Sequence, residues 1–229
     1  MKRINKIIIF VFVLAIFCPL KSNADDMITV KPYFKYGSIG WQEENHALAS
    51  GNKVMAGAGI SLTDKQYFVK RVSAEIWVMA EPTDEDREMP SDGLRLAIDG
   101  GYEFKLNSKW VVYPLAGIGV ERWRRNSPDG DGEQDRFWGD LLFAKANLMV
   151  GAKYKDAYYV EAGLNHPFWS DTDSGHSPGG KLGLAVNAGI LLHKNVDLGL
   201  FYNQTAFGAD GSQTESRLTL VGILIGYNF

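Results

Sequence analysis

Hydrophobic and polar residues alternate along most of the chain after its first 24 residues, and helical spacing is hard to find. Alternation with a period of two is typical of β-strands whose two faces meet different surroundings. The pattern predicts an all-β protein with ten strands, and eight strands is the alternative. The predicted strands are 28–40, 54–62, 67–80, 94–106, 110–122, 140–154, 158–168, 181–192, 196–204 and 216–229.

Strand length and connection length together favour a membrane barrel. Most of the predicted strands have the roughly 9–11 residues or more that a tilted strand needs to cross a bilayer, whereas strands of soluble proteins average about 5–6. Short turns are predicted at 63–66, 107–109, 155–157 and 193–195, and long polar loops at 42–53, 81–93, 123–139, 167–180 and 205–215. This alternation predicts an antiparallel up-and-down transmembrane β-barrel with its short turns and both termini in the periplasm.

The two faces of the predicted strands differ in composition. In strand 181–192 one face is aliphatic, while the other carries glycine, alanine and Asn187. The small and charged face is too sparse to cover a soluble exterior, so we expect the aliphatic face to contact lipid. Aromatic residues cluster near strand ends and predict two interfacial girdles. The loop-side girdle would comprise Trp41, Trp77, Trp123, Trp138, Phe168 and Trp169, and the turn-side girdle Tyr67, Phe104, Trp110, Tyr154, Tyr158, Tyr227 and Phe229.

The N-terminus has the pattern of a cleaved secretory signal at residues 1–24. Three cations precede the apolar run Ile7–Phe17, which is too short for a membrane anchor, and small residues end at Ala24. Cys18 is the only cysteine, and Phe17 before it disfavours a lipoprotein. Residues 25–229 are then one barrel domain without disulfides.

Charge and hydropathy exclude two classes of protein. The full chain has a net charge of −3, and the predicted signal carries four cations and no acid, so the mature net charge is −7. This acidic balance gives no reason to expect a nucleic-acid partner. Since no later run of 18 apolar residues exists, a helical membrane protein is excluded.

The inward assignment places both signs of charge inside the barrel. Charges in a narrow interior must be paired or hydrated, so we expect a salt-bridged network that supports and largely plugs the lumen. A narrow, selective pore lined by the same groups is the alternative. The predicted lumen charges are Lys35, Arg71, Glu75, Arg95, Asp99, Glu103, Glu121, Lys145, Glu161 and Asp197.

Three polar loop segments carry residues that could support other chemistry. Acids at alternate positions in 129–135 suit a hard cation such as calcium, but the pattern of an EF-hand is not met. A solvated acidic loop is therefore the expectation for 129–135, and also for the acids of 84–88 and for the group Asp171, Asp173 and His176. A surface hydrolase is therefore the weakest functional hypothesis. We predict no catalytic, metal or cofactor site.

The last strand alternates apolar residues back from the terminal aromatic: Val221, Ile223, Ile225, Tyr227 and Phe229. This resembles the C-terminal assembly signal of bacterial outer-membrane proteins, and the whole mature chain resembles small OmpA/OmpX-like barrels. The resemblance implies a Gram-negative outer-membrane location, with membrane lipids, lipopolysaccharide and the outer-membrane assembly machinery as partners. The resemblance does not identify a surface partner. A structural or surface-interaction role is expected, and a narrow porin-like channel is the alternative.

Overall fold

The computed structural model describes residues 28–43, 46–64, 69–79, 90–125, 140–172, 177–193, 195–208 and 215–229. The signal peptide lies outside the described residues. The strands are β1 (Ile28–Glu43), β2 (His46–Asp64), β3 (Val69–Met79), β4 (Pro90–Gly101), β5 (Phe104–Lys105), β6 (Trp110–Arg125), β7 (Leu141–Tyr154), β8 (Tyr158–Thr172), β9 (Gly180–Leu192), β10 (Val196–Phe207) and β11 (Ser216–Tyr227). No helix in these ranges is long and apolar enough to cross a membrane.

The described strands form one closed antiparallel barrel. Each strand pairs with its sequence neighbours, and β1 pairs with β11 from Tyr33↔Gly226 to Glu43↔Ser216. β5 continues β4 after a two-residue break, and both pair with β6, so the eleven segments make ten barrel strands. The predicted architecture and the count of ten are confirmed.

The outer face of the barrel is a continuous apolar surface. Large aliphatic side chains at alternate strand positions are exposed, among them Ile98, Leu148, Leu182, Leu200 and Ile223. Charged side chains such as Asp99, Lys145 and Asp197 are buried inside. This inverts the arrangement of a soluble barrel, and it suits a strand wall surrounded by lipid. The predicted outward assignment of the aliphatic face is confirmed.

Where the structure describes the connections, at 106–109 and 155–157, tight turns join the strands at the end of the barrel where both described termini lie. In the β7–β8 turn, Lys155 and Asp156 both have positive φ and the Ala157 amide donates to the Tyr154 carbonyl at 3.1 Å. Positive φ at both central residues is what a type I′ hairpin requires, and its twist matches that of the strands. In the 107–109 turn, Asn107 Oδ1 accepts hydrogen bonds from the backbone amides of Lys109 and Trp110. We call this the turn end, and the opposite end the loop end.

Strands at the loop end are longer than the sequence predicted. The segment 42–53 was expected to be a long loop, but β1 runs to Glu43 and β2 begins at His46, with a ladder between them. The predicted loop 167–180 starts only after Thr172, because β8 continues past Pro167. In that segment Asn52 pairs with Gly40 and Gly51 with Trp41, and β1 is paired on its other side with β11.

The aromatic girdle at the turn end is present in the structure. The tilted rings of Trp110 and Tyr154 pack with centroids 4.8 Å apart, and Tyr227 packs edge-on against Phe229 at 4.8 Å. Trp110, Tyr227 and Phe229 are exposed to the outside, as rings at a lipid headgroup level are. Tyr67 lies outside the described residues.

Candidate functional site

The lumen is divided along its axis into three zones. At the turn end is a polar cavity of about 520 Å³. Midway, a layer of buried ion pairs crosses the interior. At the loop end, a cluster of buried apolar side chains fills the barrel. The zones follow from which inward positions carry charges and which carry aromatic or aliphatic residues.

The middle layer is a chain of ion pairs that runs from β1 to β7. Glu75 Oε1 lies 2.6 Å from Lys35 Nζ, and its Oε2 lies 3.6 Å from Arg95 NH1. Arg95 Nε is 2.9 Å from Glu121 Oε1, and Lys145 Nζ is 2.7 Å from the same oxygen. Side chains of Glu121 and Lys145 are 0% and 1% exposed. Such deep burial is tolerated because every charge has an opposite partner.

Neutral side chains donate further hydrogen bonds to the two carboxylates of this layer. Glu75 also accepts from the Tyr33 hydroxyl at 2.8 Å and from Trp77 Nε1 at 3.0 Å. Trp123 Nε1 donates to Glu121 Oε2 at 3.1 Å. Each tryptophan stands two residues after its glutamate on the same strand, so the two side chains share one face. These bonds tie the charged layer to the apolar cluster above it.

A second connection, nearer the turn end, joins opposite walls. Arg71 on β3 donates to Asp99 Oδ2 through Nε at 3.1 Å and to Glu161 Oε1 on β8 through NH1 at 2.9 Å. Glu161 also accepts from the Tyr113 hydroxyl at 3.0 Å and from Asn187 Nδ2 at 3.3 Å.

Two further ion pairs lie closest to the turns. Lys31 Nζ is 2.8 Å from Asp197 Oδ2, and the Tyr159 hydroxyl donates to Oδ1 of the same residue at 3.0 Å. Lys153 Nζ is 2.6 Å from Glu103 Oε1 and stands 4.7 Å from the centre of the Tyr113 ring.

The structure thus places all ten predicted lumen residues inside the barrel and brings each into an ion pair. Sequence reasoning missed Lys31 and Lys153, which complete the pairs nearest the turns. A signal was present, because Lys31 has the strand parity of Lys35, and Lys153 that of Lys145.

The apolar cluster at the loop end corrects one prediction. Trp41, Trp77 and Trp123 were expected on the outer girdle, but they are 2%, 1% and 1% exposed and point inward. We call the cluster the apolar plug; it consists of Ile39, Trp41, Met55, Trp77, Trp123, Leu141, Phe143, Phe201, Phe207, Leu218 and Leu220. Phe143 packs edge-on against Phe207 at 5.1 Å, and Trp77 against Phe201 at 5.7 Å.

Two glycines make room for the plug tryptophans. A Cβ at Gly57 would lie 2.7 Å from the Trp77 ring, and one at Gly93 would lie 2.5 Å from the Trp123 ring. Each indole therefore lies flat against the bare backbone of a neighbouring strand.

Two members of the predicted loop-side girdle do face outward. β8 has a bulge opposite Ala144 and Lys145, so the consecutive residues Phe168 and Trp169 are both exposed. A bulge inserts one unpaired residue and allows two neighbours to share a face. Trp138 lies outside the described residues.

The remaining candidate segments are described only in part. Asp171 is exposed at the loop-end rim of β8, whereas Asp173 and His176 lie outside the described residues. So do the acidic segments 84–88 and 129–135. Within the described ranges, no group of three or more metal-ligating side chains is found.

An apolar outer wall, an ion-paired interior and a closed ring of antiparallel strands define a transmembrane β-barrel. The sequence matches no protein-family model and no curated protein. The structure resembles solved outer-membrane β-barrels. Outer membrane protease OmpT from Escherichia coli is 10% identical, with 92% of this chain and 99% of that chain covered and a TM-score of 0.48.

Neisserial surface protein A is 11% identical, covering 88% of this chain and 97% of that one at a TM-score of 0.43. An outer membrane channel from Pseudomonas putida F1 is also 11% identical, covering 91% and 99% at 0.43. A protease, a surface protein and a channel are thus among these structures, and the likeness concerns the barrel architecture alone.

Proposed function

We propose that this protein is an integral outer-membrane β-barrel with a closed lumen and a structural or surface-interaction role. The apolar outer face supports contact with membrane lipids, including lipopolysaccharide in the outer leaflet. The turn end, with both termini, would face the periplasm, because outer-membrane barrels have short periplasmic turns. The assembly machinery would recognise the last strand, from Val221 to Phe229.

The observation that carries this proposal is the filling of the lumen by two successive barriers. The Lys35–Glu75–Arg95–Glu121–Lys145 layer crosses the interior, and the apolar plug fills the space above it. An ion on this path would have to part buried ion pairs and then enter an apolar region, and both steps are costly. Ten strands give an interior that side chains can fill, unlike the wide channels of 16–18 strands.

The loop end supports the surface role. On β1 the outward positions beyond Tyr36 are Ser38, Gly40 and Gln42, which are no longer apolar. The ladders from β1 to β2 and β11 nevertheless continue to Glu43. An ordered sheet therefore projects beyond the apolar belt, where it can contact partners outside the lipid.

Planar-bilayer recording of the purified barrel tests the closed lumen. We expect no steady conductance from the unmutated protein. A Trp77→Ala/Phe201→Ala variant removes two contacting plug rings and should conduct more often, whereas Leu148→Ala on the outer face should stay silent. Stable, ion-selective conductance from the unmutated protein, altered by substituting Arg95 or Glu121, would instead establish the narrow-channel function.

A further inference from the structure

We propose that the cavity at the turn end is a binding site for a small organic anion that carries more than one carboxylate or phosphate group. The cavity lies below the ion-pair layer, and its lining includes Thr29, Lys31, Thr63, Asn195 and Asn228, all close to the turns. At about 520 Å³, it is within the range of small-molecule sites, roughly 300–1,000 Å³.

Exposure along the lumen shows where the cavity opens. The side chains of Lys31 and Lys153, near the turns, are 26% and 24% exposed, whereas Lys145, beneath the plug, is 1% exposed. A ligand would therefore enter from the turn end. It would stop at the ion-pair layer, so the cavity is a recess with one mouth.

Both signs of charge line the cavity, but in most of its ion pairs the cation is the more exposed partner. Asp197 is 2% exposed beside Lys31, and Asp99 and Glu161 are 8% and 9% exposed beside Arg71, which is 23% exposed. Long basic side chains extend toward the axis, whereas short carboxylates stay near the strands. Glu103 is the exception, because it is as exposed as its partner Lys153.

The carboxylates also use more of their hydrogen-bonding capacity than the lysines do. Glu161 accepts from Arg71, Tyr113 and Asn187, and Asp197 accepts from Lys31 and Tyr159. An ammonium group has three donors, but Lys31 and Lys153 each have one acceptor among the described residues. The unused donors at the mouth favour a ligand rich in acceptors, and charge-assisted bonds to an anion are the strongest they can make.

Isothermal titration of citrate into the folded, purified barrel tests this site. We expect saturable binding and a matching rise in thermal stability. Trehalose and spermidine, compared at equal ionic strength, should give neither. Lys31→Gln and Lys153→Gln should each weaken citrate binding at least tenfold. Arg124→Gln, on the outer face at the opposite end of the barrel, should leave it unchanged.

A second measurement is independent of these lysines. A cysteine at Thr29, which lines the mouth, can be modified with a bulky maleimide, and the modified barrel should no longer bind citrate. The proposal is wrong if citrate shows no saturable binding, if trehalose or spermidine stabilises equally, or if binding survives both the lysine variants and the blocked mouth. Conductance is measured separately, so failure here leaves the closed-lumen proposal standing.

Discussion

Arg71 and Glu161 connect opposite walls of the barrel: NH1 of the arginine on β3 lies 2.9 Å from Oε1 of the glutamate on β8. Three barrel strands lie between β3 and β8 in one direction around the ring and five in the other, so the bond passes through the lumen. Because Arg71 also holds Asp99, a single guanidinium ties three strands together.

Replacing Arg71 should therefore destabilise the barrel. Arg71→Ala leaves Asp99 and Glu161 without their cation, and we expect a loss of about 2–3 kcal/mol, below the roughly 3–5 kcal/mol of a fully dry pair because the cavity admits water. Urea unfolding in detergent measures this loss. Adding Glu161→Gln should recover part of it, and a double variant as unstable as the sum of both single variants would rule out coupling across the lumen.

Replacing Arg95 should also destabilise the barrel, although each carboxylate it contacts keeps a lysine partner. It bridges Glu75 and Glu121, and Glu121 is fully buried. Because Lys35 and Lys145 still pair with these carboxylates, Arg95→Ala should cost about 1.5–3 kcal/mol, the range for hydrogen bonds to charged groups. The same substitution at Arg124, which is half exposed on the outer face, should change thermal stability by less than about 1 kcal/mol. Equal losses of thermal stability in the Arg95 and Arg124 variants would show that the buried ion-pair layer stabilises the barrel no more than an exposed ion pair does.

Gly93→Ala should disturb the apolar plug. The added methyl group would lie 2.5 Å from the Trp123 ring, so the indole must move, at a cost of about 1–3 kcal/mol. Tryptophan fluorescence and thermal melting report the displacement. Gly179→Ala is the matched control, since a Cβ there meets nothing within 4 Å. An unaltered melting temperature in Gly93→Ala would mean that the indole packs loosely.

Surface labelling tests the orientation. Cys18 is the only cysteine and lies in the predicted signal, so introduced cysteines are unique in the mature chain. Asp171→Cys, at the loop-end rim, should react with a membrane-impermeant maleimide on intact cells, whereas Ser108→Cys should react only after the outer membrane is opened. The reverse pattern would place the turn end outside.

Phe229 should be required for assembly. Its amide donates to the Val30 carbonyl at 2.9 Å, and its ring packs on Tyr227, so it fixes the end of the closing strand. Phe229→Asp should leave unfolded chain in the periplasm, measured by heat-modifiable migration on gels after fractionation. Phe229→Tyr is the control. Normal outer-membrane amounts of the aspartate variant would refute a role in assembly.

Period-two parity placed the charged residues inside the barrel, since the faces of a strand follow directly from the sequence. The same parity puts Trp77 with Glu75 and Trp123 with Glu121, and it puts Trp41 with Lys35, so all three inward tryptophans could have been found. They were misassigned because aromatic residues at strand ends usually mark lipid interfaces. Partners across the lumen, such as Arg71 and Glu161, depend on strand tilt and register over the whole ring, and no local pattern contains that information.

The seam between β1 and β11 also bears on the order in which the barrel folds. It joins residues about 190 positions apart, such as Tyr33 and Gly226, whereas the other ladders join near neighbours in sequence. Closing so long a loop is entropically costly, so the hairpins should form first and the seam last. The species that precedes closure then has two unpaired strands at its edges, each able to pair with a strand of another chain. The risk of aggregation is thus concentrated in β1 and β11, and it is removed when these two strands pair.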